Sequence, residues 1–178
     1  MNLTSSQRAL VKTSYQRALV EQYAEYPRWL ERDPAQKFEP QIILAPERVF
    51  VHPSARIDSF VKIEGGEGVY IGPNVHVASF CHLNIGGGVL IIEEGARCSS
   101  GSKFVSGSHV QEREKQSQNI ERSFVHIGRN ALVFTNAVVL PGCSVGRNSV
   151  VGAGSVLIKD VPSGEVWAGN PARKIGEM

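Results

Sequence analysis

From Val51 onward an aliphatic side chain recurs every six residues. One frame runs through Val51, Ile57 and Ile63, shifts by two residues to Ile71, Val77 and Leu83, then by three to Ile92, Cys98 and Phe104. After a longer break it resumes as Ile127, Val133, Val139, Val145, Val151 and Leu157. Thirteen of these fifteen positions hold Val, Ile or Leu. The overall use of those residues would supply roughly four. Two further columns keep the same register. The fifth position of each hexad is small in fourteen of fifteen cases, Glu67 being the exception, and the fourth is Gly, Asn or Asp in twelve, among them Asn74, Gly95, Gly101, Asn136 and Gly154. Those three residue types enter positive φ at low cost, so a corner every six residues follows.

Short strands that end at such corners give three flat faces per 18 residues, with the large aliphatic pointing inward and the small fifth residue filling the inner corner. Five coils can be counted: 51–68, 71–88, 92–109, 127–144 and 145–162. At ~4.8 Å per parallel strand the prism is on the order of 25 Å long. The expectation is an all-β solenoid whose stability comes from stacking and whose ends need caps. Its domain spans 41–178, with a protruding loop at 110–126 and a short C-terminal tail.

Residues 1–40 read as an N-terminal helical segment and linker. The pattern predicts a helix over 5–32, with Ser5 or Ser6 as N-cap and Leu19, Tyr23, Tyr26 and Leu30 along one face. Pro27 ends or kinks it, and Asp33-Pro34 opens the linker. This segment is expected to pack on the solenoid or on a neighbouring subunit. The pentapeptide QRALV occurs at 7–11 and again at 16–20. A nine-residue offset turns it about 180° around one continuous helix, so it reads as coincidence.

Composition narrows the classes. A chain of 178 residues is one domain by default, and 42% apolar with 20% charged residues is globular. No stretch approaches the ~18 apolar residues of a membrane span, and Met1 to Leu10 lacks a signal peptide's apolar core, so a cytoplasmic protein is expected. Three cysteines without a CxxC pair give neither a disulfide framework nor a zinc finger. Cys81, Cys98 and Cys143 all fall in inward columns and read as core filler. The net charge of +2 carries no nucleic-acid signal. Glycine, at 18 residues, is above the usual share, and most of the excess falls in register, at corners or at second positions such as Gly72, Gly128, Gly146 and Gly152.

The stretch from Gly152 to Ile175 (GAGSVLIKDVPSGEVWAGNPARKI) resembles the closing signature of hexapeptide-repeat acyltransferases, and Ile127 to Gly142 is similar to their next-to-last coil. The resemblance covers about residues 50–175 and looks closest to the galactoside, maltose and polysaccharide O-acetyltransferases. It implies a left-handed parallel β-helix, although parallel crossovers elsewhere are right-handed in ~98% of cases. It also implies a homotrimer with active sites between subunits, acetyl-CoA as co-substrate and a sugar hydroxyl as acceptor.

In that group an extended loop interrupts the coils and a histidine just ahead of it is the catalytic base. Here the coil ends at Ser108-His109, and a polar, charged loop follows, so the resemblance assigns the base to His109. An alcohol must lose its proton as it attacks a thioester, and an imidazole with an ordinary pKa of ~6.5 suits that role. His126, at the other end of the loop, is a pocket candidate. Thr135 and Ala153 match coil positions that meet the pantetheine arm, while Lys159 and Arg173 match basic positions near the nucleotide phosphates. The chain departs from the pattern at Leu132, where tryptophan is common, and at Phe134, where glycine is usual. Two alternatives stand beside this reading. One is a catalytically silent hexapeptide scaffold. The other is a γ-class carbonic anhydrase, whose zinc site needs two histidines five residues apart; no such pair occurs here, and no metal site is expected.

Overall fold

In a computed structural model of the chain, the structure describes residues 4, 5, 7, 11, 13–31, 41–106 and 124–178. Three parallel sheets wind around one core as a left-handed β-helix of about five coils. Face A stacks Val49–Val51, Gly68–Ile71, Val89–Ile92, Phe124–Ile127 and Ser144–Val145; face B runs from Ile42–Leu44 to Val156–Leu157; face C runs from Arg56–Ile57 to Val150–Val151. The register is that of the sequence frame: Ile71 lies beside Ile92 and Ile92 beside Ile127, Val77 beside Cys98 and Leu83 beside Phe104. All fifteen frame residues are at most 1% exposed and belong to one continuous core. All three cysteines are buried in that core.

The corners show where the frame bends. Asn74, Gly95, Gly101, Asn130, Asn136, Gly142, Asn148 and Gly154 all have positive φ, but so do Phe60 (63°) and Phe80 (65°). Asp160 does not adopt it; its carboxylate instead accepts from the Ser144 N–H at 2.7 Å. In the first two coils the corner between faces B and A is wider, because two and three extra residues precede the four-residue strands of face A. There Ile85 is fully buried, while Gly87, the expected corner filler, is exposed, and Glu67 is half-buried. Second-position glycines answer to close approach between coils. A Cβ on Gly146 would lie 2.5 Å from the Ser163 nitrogen, and one on Gly128 would lie 2.8 Å from that of Arg147.

The N-terminal segment differs from a single helix. Helix α1 spans Ser14–Tyr23 and is capped by Thr13, which sits in extended backbone (φ −109°, ψ 153°) and completes a capping box with Gln16. Thr4 and Gln7 exchange the same pair of hydrogen bonds, at 3.0 and 3.1 Å. The repeat is thus Thr-Ser-x-Gln-Arg-Ala-Leu-Val at 4–11 and 13–20, each copy opening with its own cap. The break at Thr13 removes the 180° conflict: Val11 and Val20, the last residue of each copy, are both 1% exposed in the same cluster. That cluster is the outer surface of face A, where Phe50, Tyr70, Val89, Ile91 and Phe124 point away from the prism and are covered by Leu19, Val20 and Tyr23.

The helix ends at Tyr23, four residues before Pro27, whose carbonyl accepts from Val51. Arg28 then bridges to Phe50 along the open edge of face A, and Trp29 joins the core at its N-terminal end. At the other end the tail is a hairpin, Glu165–Gly169 with Ala172–Glu177, which extends face C and packs Trp167 against the core.

Candidate functional site

Three features of the prism surface concern chemistry, and each lies on its own corner or face. The first is the corner between faces C and B. Here Phe60, Phe80, Gly101, Asn136 and Gly154 form one column, and the backbone between successive coils is tied: Gly101 N–H donates to Ser79 at 3.1 Å, Asn136 N–H to Ser100 at 3.1 Å, and Gly154 N–H to Thr135 at 2.9 Å. Thr135 and Ala153 are therefore neighbours on one exposed ridge, as positions one period apart should be. Phe134, next to Thr135, is 43% exposed and projects beside it. The C-terminal hairpin meets the top of this ridge, since Gly169 N–H donates to Ser155 Oγ at 3.0 Å. Ala172 pairs with Gly169, so the exposed Arg173 stands at the same end.

The second feature is the corner between faces B and A. Ser106 closes face B of the third coil and Phe124 opens face A of the next, so the polar loop leaves the prism at this corner. His109 lies outside the described residues, as does most of loop 110–126. Lys159 sits at the same corner two coils on, exposed, and separated from Thr135 and Ala153 by the width of face B. The two cations that the resemblance places near the nucleotide phosphates, Lys159 and Arg173, are thus on different corners of one chain.

The third is the outer surface of face A under helix α1. His126 stands there, and its Nε2 is 2.6 Å from Glu93 Oε1, while Tyr15 Oη donates to Glu93 Oε2 at 2.7 Å. Glu93 is 4% exposed. Burial alone would raise its carboxyl pKa, yet the hydrogen bonds from His126 and Tyr15, helped by nearby Arg129, hold it below the usual carboxylate range. The Tyr15 phenol is pushed up to about 12 by burial and by Glu93. His126 is therefore engaged in a partly buried network that fastens the N-terminal segment to the strand following the loop.

The remaining described histidines are tied on other elements. His76 Nε2 contacts Asp58 on face C, His82 Nε2 contacts Glu64 on face B, both at 3.0 Å, and His52 Nδ1 contacts Ser54 at 2.8 Å. Among the described residues no three His, Cys, Asp or Glu side chains gather as metal ligands would. Burial raises the thiol pKa of Cys81, Cys98 and Cys143, Cys143 to about 11, which suits core filler and not a nucleophile. No helix among the described residues is long and apolar enough to cross a membrane.

Comparison with known proteins adds to this geometry. The family model of the bacterial transferase hexapeptide (six repeats) matches residues 124–159. Galactoside O-acetyltransferase of Escherichia coli is 36% identical over 74 residues, 42% of this chain and 36% of that enzyme. The matches cover only 36% to 38% of the length of such curated relatives. Among solved structures, AntD, an N-acyltransferase from Bacillus cereus in complex with dTDP and 3-hydroxybutyryl-CoA, superposes with a TM-score of 0.68 at 20% identity over 78% of this chain and 77% of its own. A maltose O-acetyltransferase from Clostridium difficile gives 0.51 at 18% identity over 97% and 82%. At these identities the likeness to the solved structures is one of fold.

Proposed function

We propose that the chain is a hexapeptide-repeat acyltransferase that moves an acetyl group from acetyl-CoA to a hydroxyl of a sugar or polysaccharide precursor, by direct transfer within a homotrimer, a reading supported by the six-repeat hexapeptide match over residues 124–159. The observation that carries this reading is the ridge at the corner between faces C and B. It is a straight, exposed line of small residues, Thr135 and Ala153 among them, with a cation at one end. An elongated thioester can lie along such a line, close to the backbone and with its phosphates toward Arg173. The acetyltransferase names among the relatives, and the acyl-CoA bound to the structural neighbour, are consistent with that donor.

In the proposed reaction His109 accepts the proton of the acceptor hydroxyl as its oxygen forms a C–O bond to the thioester carbonyl. Corner N–H groups stabilise the oxyanion, and the tetrahedral species collapses by breaking the C–S bond. The proton held by His109 passes to the departing thiolate, so the enzyme ends as it began. The loop that carries His109 and the ridge that carries Thr135 leave from different corners of one chain. That separation favours a site shared between two copies, with the histidine from one and the thioester groove completed by the other. Lys159, a face away from Arg173, would then reach the donor only across such an interface.

The test is calorimetric titration with coenzyme A, run beside light scattering. A micromolar-range affinity that falls about tenfold in Arg173→Ala, on a particle of three times the 19.4 kDa chain mass, is expected. A monomer that binds no coenzyme A would sink the reading.

A further inference from the structure

We propose that Phe60 and Phe80 form the platform on which a pyranose ring of the acceptor stacks, an inference that rests on the acyltransferase reading and names a sugar subsite for it. The two side chains occupy the first two coils of the column that Gly101, Asn136 and Gly154 continue. All five residues have positive φ, between 58° and 74°. Glycine and asparagine meet that demand easily, whereas a bulky aromatic residue there is a genuine outlier. Burial does not explain the choice, because Phe60 is 55% and Phe80 64% exposed. Instead the corner turns both rings outward, parallel within 3° and with centroids 5.2 Å apart. The fold holds an aromatic pair in the open at a position where Gly or Asn would make the turn more easily.

The surroundings specify the ligand. On the face C side Asp58 bridges Arg56 Nε at 2.7 Å and His76 Nε2 at 3.0 Å. On the face B side Glu64 bridges Lys62 Nζ at 2.7 Å and His82 Nε2 at 3.0 Å. The second set is the first displaced by six residues, so one cation–carboxylate–imidazole arrangement is laid down on each flank of the aromatic pair. A sugar ring presents an apolar C–H face and a rim of hydroxyls. An aromatic surface between fixed carboxylates and imidazoles matches both. The location also fits: along the corner Gly154 N–H donates to Thr135, Asn136 N–H to Ser100 and Gly101 N–H to Ser79, next to Phe80, so a donor extended along the upper ridge would point its thioester toward the two rings.

The test uses the Phe60→Asn, Phe80→Asn double variant, which keeps residues suited to positive φ at both corners, and saturation-transfer NMR with methyl α-D-glucopyranoside and methyl β-D-galactopyranoside. With the wild-type protein, at least one probe should receive saturation on the C–H protons of one ring face, and the double variant should lose at least tenfold of that signal. Its coenzyme A affinity should stay within twofold and its mass by light scattering should be unchanged. Saturation retained in the variant, or absent for both probes with the wild type, overturns the platform. So does a fall in particle mass, which would make the pair a contact between copies. If wild-type protein binds no coenzyme A, the acyltransferase reading fails, while the saturation experiment still decides the sugar site.

Discussion

Asn136 and Phe80 meet the same backbone requirement on the same corner, one with a residue suited to it and one without. Replacing Asn136 with Ala should cost about 1–2 kcal/mol, the penalty of a left-handed conformation for a residue with an ordinary Cβ. Phe80→Asn should change stability by less than about 1 kcal/mol, because relief of that penalty offsets the loss of an aromatic pair worth roughly 0.5–1.5 kcal/mol. Urea unfolding of the two variants checks the contrast. Gly146→Ala should be worse than either change, by about 2 kcal/mol or more, since its Cβ would meet the backbone of Ser163 at 2.5 Å, and backbone cannot swing aside. At this scale the sequence was highly legible for inward residues, because a period of six needs no knowledge of what lies outside the prism. It was less legible at Phe60, Phe80 and Asp160. A corner's φ is set by the closure of the coil, so the residue in place adapts whether or not its type advertises it.

Helix α1 and face A are joined by an apolar cluster and by one polar network, and the two should respond differently to pH. Glu93 is held below the usual carboxylate range, so it binds a proton less readily in the folded protein than in the unfolded chain. Its contribution is fully present above the unfolded value of ~4.3 and is lost as pH falls through the lower folded value. Asp58, held down by His76 and Arg56 against the opposing effect of burial, and Glu64, held down first by Lys62 and then by His82, act in the same sense. Glu93→Gln should lower stability at pH 7 by about 1–3 kcal/mol, the range for disturbing hydrogen bonds to a buried charge. Its difference from wild type should shrink below about pH 4. Denaturant midpoints at pH 7, 5 and 3.5 decide this, and a constant difference would assign the effect to packing. The existence of a helix here was readable from Leu19 and Tyr23. Its start is hidden by the continuous apolar face over 5–32, although the Thr-Ser-x-Gln caps at 4 and 13 mark it. Nor was the Glu93–His126 pair readable: the two residues are 33 apart and meet only because face A stacks their coils.

The molecule as a whole is a prism with one face already spoken for. Val11, Leu19, Val20 and Tyr23 of the chain's own N-terminal segment cover face A, so in the proposed trimer a neighbouring copy would approach faces B or C, where the ridge and the loop corner lie. The fold, most of its corners and the direction of its core are legible in the sequence, because the repeat writes them five times. Function is less repetitive. The resemblance alone assigns Thr135, Ala153, Lys159 and Arg173 to the donor; in the fold Thr135 and Ala153 share one ridge, whereas Lys159 stands at a different corner from Arg173. The central claim is acyl transfer with His109 as the base, and it is tested most directly by thiol release from acetyl-CoA in the presence of a panel of methyl pyranosides, comparing wild type with His109→Ala. The account predicts turnover on at least one sugar and a loss of at least a hundredfold in kcat in the variant, with coenzyme A affinity preserved. Equal turnover by the two proteins would contradict it.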